Sequence, residues 1–190
     1  MIYNMSFVNQ FLMNQTQIQP IIRFNGANSK TILRSLQNCP TIYLSDAVYA
    51  QTPTNLVNTN IGLIINASSD SPANQNIQQI YRNIGIDYLW VPIDDTDKHP
   101  SSDYLPKIVE YVRNRGYRPK NDILIHCTAG INRSALVAAA ILWYTTPNRQ
   151  KYWDNPKKMI DYMRTKQMIE RKTYLLINNT FYIYLINNLK

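Results

Sequence analysis

From Cys39 onward, short apolar runs alternate with stretches of helical period. Residues 41–44 read as a short strand. The unbroken apolar run at 60–65 has the look of a strand buried on both faces. Residues 74–83 place Ile77, Ile80 and Tyr81 on one side of a helix, and 87–91 form a further strand that Pro92 is expected to stop. A helix over 102–115 follows through Tyr104, Ile108, Tyr111 and Val112 and ends at Gly116. Residues 122–126 then predict a central strand, and 133–144, dense in Ala, Leu, Val and Ile, predict a buried helix that Pro147 ends. Asp154-Asn155-Pro156 reads as a cap opening a helix that carries Met159, Tyr162 and Met163. The aromatic and aliphatic tail, 174–189, is expected to pack on the body. Strands alternating with helices predict an α/β fold with a mostly parallel central sheet flanked by helices.

The first 36 residues differ, being rich in Asn and Gln. Met1, Met5, Val8 and Leu12 recur at helical spacing, which predicts a short helix docked on the core or against a second subunit as a dimer contact. The expected organisation is an N-terminal extension, 1–36, and one catalytic domain, 37–190. No apolar run reaches bilayer-spanning length, the N-terminus lacks a signal-peptide pattern, and 2 Cys are too few for a disulfide framework. The expectation is an intracellular, cytoplasmic protein. The abundance of Asn, Ile, Tyr and Lys fits an AT-rich genome such as that of a virus or a parasite. A net charge of +8 favours anionic partners: phosphoproteins, phosphoinositides or RNA.

The segment that carries chemistry is His126-Cys127-Thr128-Ala129-Gly130-Ile131-Asn132-Arg133-Ser134, set between a buried strand and a buried helix. Open α/β sheets place ligands at that point. The loop ends at a helix N-terminus, whose free N–H groups and dipole favour an anion, and consecutive inward N–H groups make a nest of phosphate size. Thr128, Ala129, Gly130, Ile131 and Asn132 would form this cradle. Thr128 and Ala129 are small enough to leave it open, and Gly130 supplies backbone freedom. Cys127 opens the loop among those dipoles, which favour the nucleophilic thiolate. Arg133 returns over the loop with a planar fork suited to two phosphate oxygens. The Ser134 hydroxyl can donate to the cysteine sulfur when the thiolate leaves. His126 reads as a structural histidine that orients the loop, and Cys39 as a packed thiol or a resolving partner for Cys127.

These residues resemble the signature of the protein tyrosine phosphatase superfamily: His-Cys, five residues, Arg, then Ser or Thr. Ile42-Tyr43-Leu44 with Ala47, the run from Ile61 to Ala67, and Tyr88-Leu89-Trp90-Val91-Pro92-Ile93-Asp94-Asp95 extend the similarity to the dual-specificity branch, including its poxvirus members. It covers about residues 40–165. The resemblance implies a phosphotyrosine protein phosphatase-like fold and hydrolysis of phosphotyrosine and phosphoserine or phosphothreonine in two steps, through a cysteinyl-phosphate, with no metal or cofactor. It implies Cys127 as nucleophile, Arg133 as phosphate clamp and Asp95 as general acid, with Asp94 next and Asp97 third. An RNA 5′-phosphatase of the same superfamily is the alternative, with Arg113, Arg115, Arg118 and Lys120 expected near the site. Against it, that branch often has His where Ala129 stands and Thr where Ser134 stands. A non-catalytic phospho-binding module would lack the Cys or the Arg, and both are present.

Overall fold

The computed structural model describes residues 29–34, 39–96, 104–115 and 120–190. Among these, five strands form one sheet: β1 (Lys30–Arg34), β2 (Ile42–Ser45), β3 (Ile61–Ser68), β4 (Asp87–Ile93) and β5 (Asp122–His126). Their order across the sheet is β1-β2-β5-β3-β4, with β1 antiparallel to β2 and the other pairings parallel. The helices are α1 (Ala47–Ala50), α2 (Gln75–Asn83), α3 (Tyr104–Asn114), α4 (Arg133–Thr145), α5 (Pro156–Arg171) and α6 (Asn179–Asn188). The expected mostly parallel sheet flanked by helices is thus the observed one.

Pleating divides the core. On β5, Ile123 and Ile125 join Leu63 and Ile65 of β3 against α4, α5 and α6, whereas Leu124 joins Ile61, Ile64 and Tyr81 on the opposite face with α1 and α2. Every residue of β3 and β5 is buried, as the uninterrupted apolar runs require. So is every residue of α4 from Arg133 to Trp143, which is why that helix lacks a polar face. Helix starts follow local chemistry. Asn74 accepts from Ile77 N at α2, and Asn155 accepts from Lys158 N at α5 with Pro156 beside it.

Two expectations change. Pro92 does not stop its strand, since β4 continues to Ile93; β4 lies at the end of the sheet order, where a missing N–H leaves no ladder bond unmade. Lys30–Arg34, inside the stretch assigned to the extension, is a sheet strand, held to α5 by Thr31 Oγ1 donating to Gln167 Oε1 at 2.7 Å. The long helix is described from Tyr104 onward, and its expected start at Ser102 lies outside the described residues. The helix expected within residues 1–12 and the stop at Gly116 lie outside the described residues.

Candidate active site

Because β5 and β3 run parallel, their carboxyl ends open on the same edge of the sheet, and Cys127 follows β5 directly. The turn from Cys127 to Asn132 is shaped by where its carbonyls go. Thr128 O accepts from Ala47 N (3.1 Å), and Ala129 O from Arg171 Nη2 (3.3 Å). Gly130 O accepts from Arg171 Nη1 (3.3 Å) and Gln167 Nε2 (3.1 Å), and Ile131 O from Leu176 N (3.0 Å). Four consecutive carbonyls are therefore bonded outward. In a trans peptide the N–H opposes its carbonyl, so the amides of Ala129, Gly130, Ile131 and Asn132 face the other way, into the turn. Gly130 has φ +68°, and a Cβ there would lie 2.3 Å from Ser45 O, so both conformation and close approach require glycine.

Behind the turn lies a dry ion pair. Arg171, 1% exposed, donates from Nη2 to Asp46 Oδ2 at 3.1 Å. Burial pushes its basicity down while Asp46 and the Cys127 sulfur oppose that. Asp46 also caps α1 by accepting from Tyr49 N at 2.8 Å. Gln167 completes the support by donating to Thr173 Oγ1 at 2.9 Å.

In front of the turn stand the expected site residues. Cys127 is 2% exposed, with its sulfur 3.3 Å from Ser134 Oγ. The Arg133 guanidinium lies within electrostatic reach of that sulfur; burial works against its charge, and Asp70, Cys127 and Asp95 more than restore it. Asp95 Oδ2 is 4.0 Å from Arg133 Nε. Asn132 Nδ2 donates to both oxygens of Asp95 (3.2 and 3.1 Å), and Asn178 Nδ2 donates to Oδ1 (3.1 Å) and to Thr96 O (3.2 Å). Asn178 N in turn donates to Asn132 Oδ1 at 3.0 Å, tying the α6 entry to the turn. Asp95 thus converges on the site. Asp94 is exposed, and Asp97 lies outside the described residues.

Sequence reasoning missed a fourth element, the loop after β3. Asn66 is buried and accepts from Ser68 N at 2.9 Å while donating to Ser71 O at 2.8 Å and to the Tyr88 hydroxyl at 3.0 Å. That folds the loop back so that Asp70 meets the turn. Asp70 Oδ1 accepts from Arg133 Nη1 at 2.5 Å and from Thr128 Oγ1 at 3.1 Å, and also from the Ser68 hydroxyl. The Ser68 bond and then the Arg133 bond hold the Asp70 carboxyl well below the usual carboxylate range. Arg171, Asp46, Gln167 and Asn178 were likewise unsuspected. Only the cap-forming types at Asp46 and Asn178, each just before a helical stretch, offered a local signal.

His126 is fully buried, with Nδ1 3.4 Å from Cys127 O and no partner at Nε2; burial pushes it down to about 4, so it is neutral and not an acid. Cys39 precedes Ile42, and the three steps of β2 up to Ser45, the partner of His126, span about 10 Å. That exceeds the reach of a disulfide to Cys127 and removes a resolving role without rearrangement.

Three of the basic residues expected near the site are elsewhere. Arg115 donates to Asp87 Oδ2 (3.2 Å) and to Gly62 O, and Lys120 Nζ to Ile84 O (2.9 Å). Asp87 and Gly62 mark the amino ends of parallel strands, the opposite edge from Cys127. Arg113 donates to Tyr144 O, at the far end of α4. Arg118 lies outside the described residues. Among the described residues no cluster of His, Cys, Asp and Glu could hold a metal ion, and no helix is long and apolar enough to cross a membrane.

Residues 42–151 match the family model described as dual specificity phosphatase, catalytic domain. Human dual specificity protein phosphatase 13B is 27% identical over 103 residues, 54% of this chain and 52% of that protein. Human dual specificity protein phosphatase 4 is 30% identical over 103 residues, 54% of this chain and 24% of that protein. The chain therefore matches about half the length of the former and less of the latter. Among solved structures, the Orf virus tyrosine phosphatase OH1 superposes with a TM-score of 0.60 at 18% identity, over 97% of this chain and 98% of that one.

Proposed function

Since the chain belongs to the dual-specificity phosphatase family, we propose that it hydrolyses phosphotyrosine and phosphoserine or phosphothreonine in proteins, with Cys127 as nucleophile. The observation that supports this most strongly is the run of four outward-bonded carbonyls, which turns the opposing amides toward the inside of the loop that Cys127 opens. Such a ring binds a dianion and favours the thiolate. In the first step the thiolate attacks phosphorus, an S–P bond forms and the P–O bond to the leaving group breaks. Asp95 gives its proton to the departing oxygen, and Arg133 follows the charge on the equatorial oxygens. In the second step Asp95 takes a proton from water, the water oxygen bonds to phosphorus and the S–P bond breaks. Ser134 then donates to the departing sulfur.

The full chain should hydrolyse a phosphotyrosine peptide and a phosphothreonine peptide faster than 5′-triphosphorylated RNA. Arg115 and Lys120, expected to serve the RNA reading, are instead engaged at the other edge of the sheet, which favours the protein substrate. Faster hydrolysis of the RNA would reverse that order. Cys127→Ser should abolish turnover of every substrate while retaining inorganic phosphate; residual turnover would remove the nucleophile. Asp95→Asn should slow an alkyl phosphate by ~10²–10⁴ and an activated aryl phosphate far less. Equal slowing would shift the acid role elsewhere.

A further inference from the structure

Arg133 is already occupied. Its Nη1 holds Asp70 at 2.5 Å and its Nη2 donates to Thr128 Oγ1 at 2.9 Å, while its buried Nε has no hydrogen-bond partner. Thr128 Oγ1 also donates to both Asp70 oxygens, at 3.1 and 3.3 Å, and lies 3.0 Å from Ser68 Oγ. Ser68, Asp70, Thr128 and Arg133 thus close a network across the mouth of the turn. A bound phosphate takes two coplanar donors of a guanidinium and its charge, and here the Asp70 carboxylate already sits on Nη1 and answers that charge. Nη1 and Nη2 each keep a second N–H, so the competition is for the charge and the orientation of the guanidinium, which its bonds to Asp70 and to the Asp70-held Thr128 fix. The Asp70 side chain is 59% exposed whereas that of Arg133 is 7% exposed, so the carboxylate is the partner able to swing into water at little cost. The other carboxylate facing Arg133, Asp95, lies at 4.0 Å and is held by two asparagines, so it does not trade places.

We propose that Asp70 is an affinity- and specificity-determining residue of this site: its carboxylate occupies Arg133 in the free protein and must be displaced by the incoming phosphate. Affinity for phosphate is thereby set by a competition between anions on one guanidinium. A substrate that offers a single weak anionic oxygen fails to win Arg133. This inference rests on the phosphatase reading of the same site.

The test measures inorganic phosphate binding by calorimetry on the full chain carrying Cys127→Ser, with and without Asp70→Asn. Asp70→Asn should bind phosphate about fivefold tighter, as expected for losing one solvent-exposed ion pair. In the chain with Cys127 intact it should lower KM for a phosphotyrosine peptide in step. Ser68→Ala, which frees the carboxylate on one side, should shift both in the same direction by less. Unchanged or weaker phosphate binding in Asp70→Asn, at an unaltered unfolding midpoint, overturns the competition and makes Asp70 a brace for Arg133. Should Asp70→Asn unfold, Ser68→Ala decides by the same criterion. Absence of phosphate binding in the Cys127→Ser parent removes the phosphatase reading and the inference together, whereas binding that ignores Asp70 removes the inference alone.

Discussion

Two arginine–aspartate pairs flank the same turn. Arg171 and Asp46 lie behind it with side chains 1% and 6% exposed; Arg133 and Asp70 lie in front, 7% and 59% exposed. The chemistry is the same and the consequence is not. Behind, both charges have left water, so each needs the other and the carbonyls of Ala129 and Gly130 to stay buried. In front, one partner keeps its hydration, so the pair can open for a ligand. Under the proposed function the rear pair fixes the direction of the amides, and the front cation changes partners when phosphate binds.

The sharpest way to break this contrast is Arg171→Met. It strands Asp46 and frees two loop carbonyls, so it should cost about 3–5 kcal/mol and lower the melting midpoint by more than ~6 °C. A loss under about 1 kcal/mol in denaturant titration would mean that the rear pair is as dispensable as an exposed one. His126, next to that buried region, adds a pH signature. Unfolded, it takes a proton near its ordinary ~6.5; folded, burial allows protonation only near about 4. Its stability contribution is therefore complete above pH ~6.5 and drains as pH falls through 4, by about 3 kcal/mol. Stability measured from pH 8 to pH 4 should slope downward in the natural protein and less in His126→Gln; equal slopes would assign the decline to other groups.

Gly130→Ala tests the turn itself. With φ at +68° and Ser45 O in the way, it should cost about 2 kcal/mol and reduce turnover, because the carbonyl of residue 130 must leave Arg171 and Gln167. A neutral effect would mean that the backbone there relaxes freely. The smallest expected change is the stability of Asp70→Asn, within about 0.5 kcal/mol of the parent despite removal of an arginine's partner. A loss comparable to that of Arg171→Met would erase the distinction between front and back.

The stretch from Cys127 to Ser134 stood out before any coordinates, because the proposed nucleophile, cradle and clamp are contiguous between a buried strand and a buried helix. The buried strands β3 and β5 and the apolar α4 were equally plain, since a run with no polar face can sit only in a covered sheet or under one. The strand Lys30–Arg34 escaped notice because its polar composition gains strand geometry only by pairing with β2. The side chains that brace the turn and its charges gave no signal for a different reason. Asp46 and Arg171 are 125 positions apart, Asp70 and Arg133 63, Asp95 and Asn178 83, and no local pattern marks such pairs.

By itself, then, the order of residues determined the class of fold and the turn between β5 and α4, and it singled out the atoms proposed to attack and clamp phosphate. Only the tertiary structure decided which way the carbonyls of that turn face, which arginine is locked and which can open, and that Arg115 and Lys120 stand at the other edge of the sheet. The physical reason is range. Periodicity and spacing act over a few residues, whereas the partition of charges between water and the interior is settled where segments distant along the chain meet.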